Sequence, residues 1–147
     1  MANVNQLKND YQDIIDKHSP KNKIISNSIK AFFVGGIFCS IGQLLINCYM
    51  YFGMSFYESS MLSTDSLILI SAILTAFNVY DNIGKFGGAG ALVPITGFAN
   101  SMVSAGMEYK KEGYIYGLGA KLFTIAGPVI VFGVIASVVV GIIYYFV

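Results

Sequence analysis

The sequence predicts an all-α, polytopic integral membrane protein with three spanning helices, one re-entrant or broken Gly/Pro-rich segment and a short amphipathic N-terminal helix. Three observations predict it. Of the 147 residues, 55% are hydrophobic and only 12% charged, whereas water-soluble domains carry roughly 25% charged residues. Charge-free runs cover residues 31–57, 66–80, 86–107 and 122–147, and about 20 apolar residues suffice for a helix to cross a bilayer. The third run is crowded with Gly87, Gly88, Gly90, Gly97, Gly106 and, in its middle, Pro94, residues that raise the cost of a helix interior.

Residues 1–30 form the polar, cytoplasmic part and residues 31–147 the membrane domain. In the former, Leu7, Tyr11, Ile14 and Ile15 recur at helical spacing among Lys8, Asp10, Asp13, Asp16 and Lys17. Pro20 ends this helix, because proline disfavours helical geometry in the residue before it. The apolar core begins too far from the start for a cleavable signal peptide, so the chain is expected to remain whole. The first span covers residues 31–51. Residues 66–80 would cover only about 22 Å at 1.5 Å per residue, short of the roughly 30 Å hydrocarbon core. A second span therefore begins near Ser59 and takes Asp65 toward the headgroups. Residues 122–147 make the last span, with a kink expected at Pro128.

Lysine placement bears on the third run. Lys21, Lys23 and Lys30 put the N-terminus on the cytoplasmic side by the positive-inside rule, and two spans return Lys85 to that side. A full crossing by residues 86–107 would place Lys110, Lys111 and Lys121 outside. A segment that dips in and returns around Pro94 and Gly97 keeps every lysine inside, which favours it over the alternative of four full spans.

Other classes find little support. The net charge is +1, with no Arg and no Trp, which gives no electrostatic basis for nucleic-acid binding. Cys39 and Cys48 are nine residues apart, on nearly opposite faces of a helix, and read as small apolar residues. His18, the only histidine, lies in the polar tail. No H-E-x-x-H, C-x-x-C or paired intramembrane carboxylates occur. No enzyme activity, metal or cofactor is expected.

Polar residues are aligned within the apolar segments. Gly36, Ser40, Gln43 and Asn47 form one line along a helix face; Ser71, Thr75, Asn78 and Asn82 form a second; Thr96, Asn100, Ser104 and Glu108 form a third. Such lines serve as glue between helices or wet a path through the bilayer. The second reading nominates Gln43, Asn47, Thr75, Asn78, Asn82, Lys85, Thr96, Asn100 and Ser104 as its lining. Around residues 80–90, Asp81 and Lys85 meet a glycine-rich stretch. The pair reads either as an ion pair closing helix two or, with the glycine N–H groups, as a holder of carboxylate or phosphate. Gly87, Gly88, Gly90, Pro94 and Gly97 form a structural hinge. Glu108, Lys110, Lys111 and Glu112 read as a solvated loop. The ladders Gly133-Ser137-Gly141, Gly113-Gly117 and Gly84-Gly88 suit close helix packing, and an oligomer is the natural way for so few segments to close a pore.

The runs Ile83-Gly84-Lys85-Phe86-Gly87-Gly88-Ala89-Gly90 and Val93-Pro94-Ile95-Thr96-Gly97-Phe98-Ala99-Asn100-Ser101 resemble the signature of the stage V sporulation membrane proteins AC and AEB. The segments Met107-Glu108-Tyr109-Lys110-Lys111-Glu112-Gly113-Tyr114, Gly117-Leu118-Gly119-Ala120-Lys121 and His18-Ser19-Pro20-Lys21 point to the AC branch, and the resemblance covers essentially the whole chain. It implies a multi-pass protein in the inner membrane of the spore or forespore. It also implies assembly with other stage V sporulation A-group proteins to move dipicolinic acid, or its calcium chelate, during sporulation and germination. Channel-like behaviour responsive to membrane tension is part of that expectation, and a non-conducting scaffold is the competing one. The resemblance carries no assignment of functional residues.

Overall fold

The computed structural model describes Tyr11, Ile14, Ile15 and residues 23–146. Tyr11, Ile14 and Ile15 are helical and exposed; the remainder of the expected amphipathic helix, with Pro20 and His18, lies outside the described residues. All regular structure among the described residues is helical. The elements are α1 (Ile24–Tyr51), α2 (Phe56–Ala76), α3 (Tyr80–Gly87), α4 (Ala89–Leu92), α5 (Ile95–Tyr109) and α6 (Ala120–Phe146). A 3₁₀ turn (Lys110–Glu112) and a π-helical turn (Tyr114–Gly119) join the last two.

Among the described residues, three helices are long and apolar enough to cross a membrane: Ile24–Tyr51, Phe56–Ala76 and Tyr114–Phe146, the last including the π-helical turn. The chain is a multi-pass membrane protein. α1 starts at Ile24 rather than after residue 30, so Asn27, Ser28 and Lys30 belong to its first turns. α2 starts at Phe56, three residues before the expected Ser59. There Ser55 and Glu58 form a capping box in which the Glu58 N–H donates to Ser55 Oγ and the Ser55 N–H donates to Glu58 Oε2 at 3.0 Å. That S-x-x-E spacing satisfies two orphan donors at a helix start. α6 continues past Pro128 as one helix.

Helix ends are set by residues that accept a left-handed backbone. α1 closes at Gly53 (φ 90°), with the Met54 N–H donating to the Tyr49 carbonyl at 3.3 Å. α2 closes at Asn78 (φ 58°), with the Val79 N–H donating to the Leu74 carbonyl at 2.9 Å. Both are Schellman ends, which need glycine or asparagine at the turning position. The four residues between α1 and α2 force an antiparallel pair, whose contact is made by small groups: Ser63 Oγ donates to the Gly42 carbonyl at 2.9 Å.

The segment after α2 is broken, as the glycines and proline predict. The longest piece, α5, has 15 residues, too few to cross the hydrocarbon. Each hinge residue has a steric reason. Gly88 (φ 52°) turns α3 into α4. A Cβ on Gly90 would lie 2.0 Å from the Ala31 carbonyl oxygen, one on Gly97 2.3 Å from the Leu92 carbonyl oxygen, and one on Gly87 2.7 Å from the Val34 side chain. Pro94 sits at the N-cap of α5 with extended ψ (165°).

α5 runs alongside α2 in the same direction, since Ser71 meets Thr96 and Thr75 meets Asn100, each pair one turn further on. The broken segment thus enters from the end at which α2 leaves and returns to it. Lys30 lies over the Phe86 ring at 5.0 Å and Lys121 over the Tyr109 ring at 4.5 Å. These contacts gather Lys23, Lys30, Lys85, Lys110, Lys111 and Lys121 at one end of the bundle, the pattern of a cytoplasmic face.

Candidate functional site

The second and third polar lines meet. Ser71 Oγ donates to the Thr96 carbonyl at 2.5 Å, and Thr75 Oγ1 is 2.7 Å from the Ser71 carbonyl and 2.9 Å from Asn100 Oδ1. Beneath them the Tyr80 ring, 0% exposed, fills the angle between α2, α4 and α5. Its hydroxyl donates to the Ala91 carbonyl at 2.7 Å and bonds Thr96 Oγ1 at 2.9 Å, while its ring lies 6.1 Å from that of Phe38 on α1. This network fixes the return of the broken segment, because a buried polar group left unpaired costs free energy comparable to a lost bond.

Toward the lysine end the network opens into a cleft of about 460 Å³ lined by Thr75, Asn78, Asp81, Asn100, Ser104, Met107 and Glu108. Small-molecule sites fall within roughly 300–1,000 Å³. Asn100, Ser104 and Glu108 come from successive turns of α5. Thr75 comes from the last turns of α2, and the left-handed turn at Asn78 brings Asn78 and Asp81 to the lining. Asn100 commits Oδ1 to Thr75 and keeps its amide donors without a partner among the described residues. The wall is therefore rich in oxygen, with two carboxylates, two amides and two hydroxyls.

Of the nine residues nominated as a lining, Thr75, Asn78, Asn100 and Ser104 share this cleft, and Thr96 is sealed below it. The second line does not continue along one helix: α2 ends at Ala76, and the Schellman turn rotates Asn78 and Asn82 out of register. Asn82 is exposed on α3. Lys85 pairs with Asp81 at 2.5 Å, with both side chains more than half exposed, so the pair adds little stability in water. It lines a neighbouring recess with Ile24, Asn27, Ser28, Ala31, Phe86, Gly88 and Ala89. Gln43 and Asn47 are exposed on α1, away from the cleft, with Gln43 Nε2 donating to Asn47 Oδ1 at 2.9 Å.

Two ionisable residues of the cleft stand outside the nominated lining. Glu108 is in α5 and not in a solvated loop, because the helix continues through Tyr109 before the 3₁₀ turn; its place fourth in the third polar line is the signal that finds it. Asp81 enters through the turn at Asn78, which helical periodicity does not reveal.

Comparison with known proteins gives a consistent picture. The family model described as SpoVAC/SpoVAEB sporulation membrane protein matches residues 27–143. Stage V sporulation protein AC of Bacillus subtilis (strain 168) is 47% identical over 144 residues, covering 97% of this chain and 95% of the relative. No solved structure matches.

Proposed function

Because the chain belongs to the SpoVAC/SpoVAEB family of sporulation membrane proteins, we propose that it is a channel subunit for dipicolinic acid carried as its calcium chelate. It would take part in uptake during sporulation and release at germination, in the inner membrane of the spore or forespore. The observation that carries this reading is the oxygen-lined cleft at the lysine end of a broken membrane segment. Irregular backbone at membrane depth persists where it is buried in protein or lines a wet cavity, and a small polar solute needs such a cavity to leave water.

The charge of the lining selects the form of the solute. Free dipicolinate is a dianion, which Asp81 and Glu108 would repel, and Lys85 is already held by Asp81. The chelate is close to neutral and presents a hard cation, which takes carboxylate, amide and water oxygens as ligands. Gating by tension fits the loosest element: no residue of α6 is buried, and the helix packs mainly on α5 and the π-helical turn. A lateral displacement of α6 enlarges the in-plane area, and tension favours the larger state.

The competing scaffold reading is favoured by the exposed polar line on α1, which offers a surface to other stage V sporulation A-group proteins. One experiment separates the two. Purified protein in dipicolinate-loaded vesicles is subjected to an osmotic downshift, and efflux is read by lanthanide luminescence. A conducting subunit releases dipicolinate faster with calcium than with a chelator present; a scaffold releases none above empty vesicles.

A further inference from the structure

α1 has two opposite faces. Val34, Phe38, Gly42 and Tyr49 look into the bundle, against Gly87, Tyr80, Ser63 and Ser66 respectively. Gly36 and Ser40 follow Val34 and Phe38 by two residues, and Asn47 precedes Tyr49 by two. At about 100° per residue this sets them roughly 200° away. The first polar line therefore points straight out of the subunit. Ser40, Gln43 and Asn47 are exposed, and a Cβ on Gly36 meets nothing within 4 Å. That face lies in the charge-free part of α1, where hydrocarbon is the surrounding medium and amides without partners are costly.

The groups left unpaired identify what covers the face. Ser40 Oγ donates to the Gly36 carbonyl at 2.9 Å, and Gln43 Nε2 donates to Asn47 Oδ1 at 2.9 Å. Gln43 Oε1 remains an acceptor and Asn47 Nδ2 a donor, neither with a partner among the described residues. An acceptor and a donor one turn apart on one face are self-complementary. A second copy inserted the same way up, related by a two-fold axis along the membrane normal, offers its donor to this acceptor and its acceptor to this donor. Gly36 and Ser40, small residues four apart, let the two backbones approach closely beside the amides.

We propose that α1 is the interface of a parallel homodimer, joined by reciprocal Gln43–Asn47 amide bonds between copies. This interface is separate from the cleft and does not depend on whether the protein conducts. The test uses the full-length chain in membranes, with Cys39→Ala and Cys48→Ala as background and two differently tagged copies co-expressed. A single cysteine that leaves both amides in place is introduced on the proposed face as Ser40→Cys, and on flanking faces as Ile37→Cys or Ile41→Cys. Mild oxidation is expected to give a covalent dimer carrying both tags at position 40, lost at 37 and 41. Adding Gln43→Leu and Asn47→Leu to Ser40→Cys should abolish that dimer while leaving insertion intact. The proposal is overturned by adducts of equal yield on every face, by none, or by an adduct joining one tag to a different protein.

Discussion

Tyr80 shows how the site is held at the level of single side chains. Its hydroxyl touches both sides of the break, reaching the Ala91 carbonyl before Pro94 and Thr96 Oγ1 after it. Tyr80→Phe leaves the ring against Phe38 but orphans the Ala91 carbonyl. The expected cost is about 1–3 kcal/mol, the usual penalty for stranding a buried polar partner, and detergent-solubilised protein should unfold at lower temperature with unchanged insertion; an unaltered transition would show that the network does not hold the break. The sequence conceals this residue because the usual cue is missing. In a membrane protein the lipid-facing and core-facing sides of a helix are both apolar, so periodicity marks no buried face. Polar residues carry the signal instead. That is why the grouping of Thr75, Asn100 and Ser104 around one cleft was legible, while the place of Tyr80 was not.

Elements are shaped by where backbone must touch backbone. α4 lies on α1 because Gly90 has no side chain to meet Ala31, and Gly90→Ala would drive a methyl group to 2.0 Å from a carbonyl oxygen. Gly133→Ala on α6 meets nothing within 4 Å. Inserted yield and protease resistance in membranes should therefore fall sharply for Gly90→Ala and hold for Gly133→Ala; equal behaviour would deny that α4 is packed as described. The Gly/Pro-rich break was readable from composition, since five glycines and Pro94 crowd one charge-free run of 22 residues. Boundaries were less so. Residues 24–30 include Lys30, whose charge suggests a polar tail, yet it lies over the Phe86 ring while its helix continues. The end of α2 was missed because Asn78 fits both a polar helical line and a left-handed turn, and only the Leu74 carbonyl bond of Val79 distinguishes them.

At the scale of the whole molecule, three spans and one returning segment bring the described lysines to one end and place the cleft there. The three polar lines divide: two converge on the cleft, and the third, on α1, faces outward. Sequence spacing reveals that a line exists but not which way it points, because orientation depends on how α1 is turned against Gly87, Tyr80 and Ser63. In the proposed account the cleft serves as a polar entrance and the outward line as a surface for assembly. The claim on which the functional account rests is that the solute passes through the cleft. Its most direct test is tension-driven calcium dipicolinate efflux from vesicles holding equal amounts of wild-type and Asn100→Leu protein. Replacing the amide removes uncommitted donors from the wall and puts an apolar side chain in the path. We expect efflux to slow at least tenfold, the effect of about 1.4 kcal/mol on a barrier. Equal efflux from the two proteins would contradict the account and place the path outside the cleft.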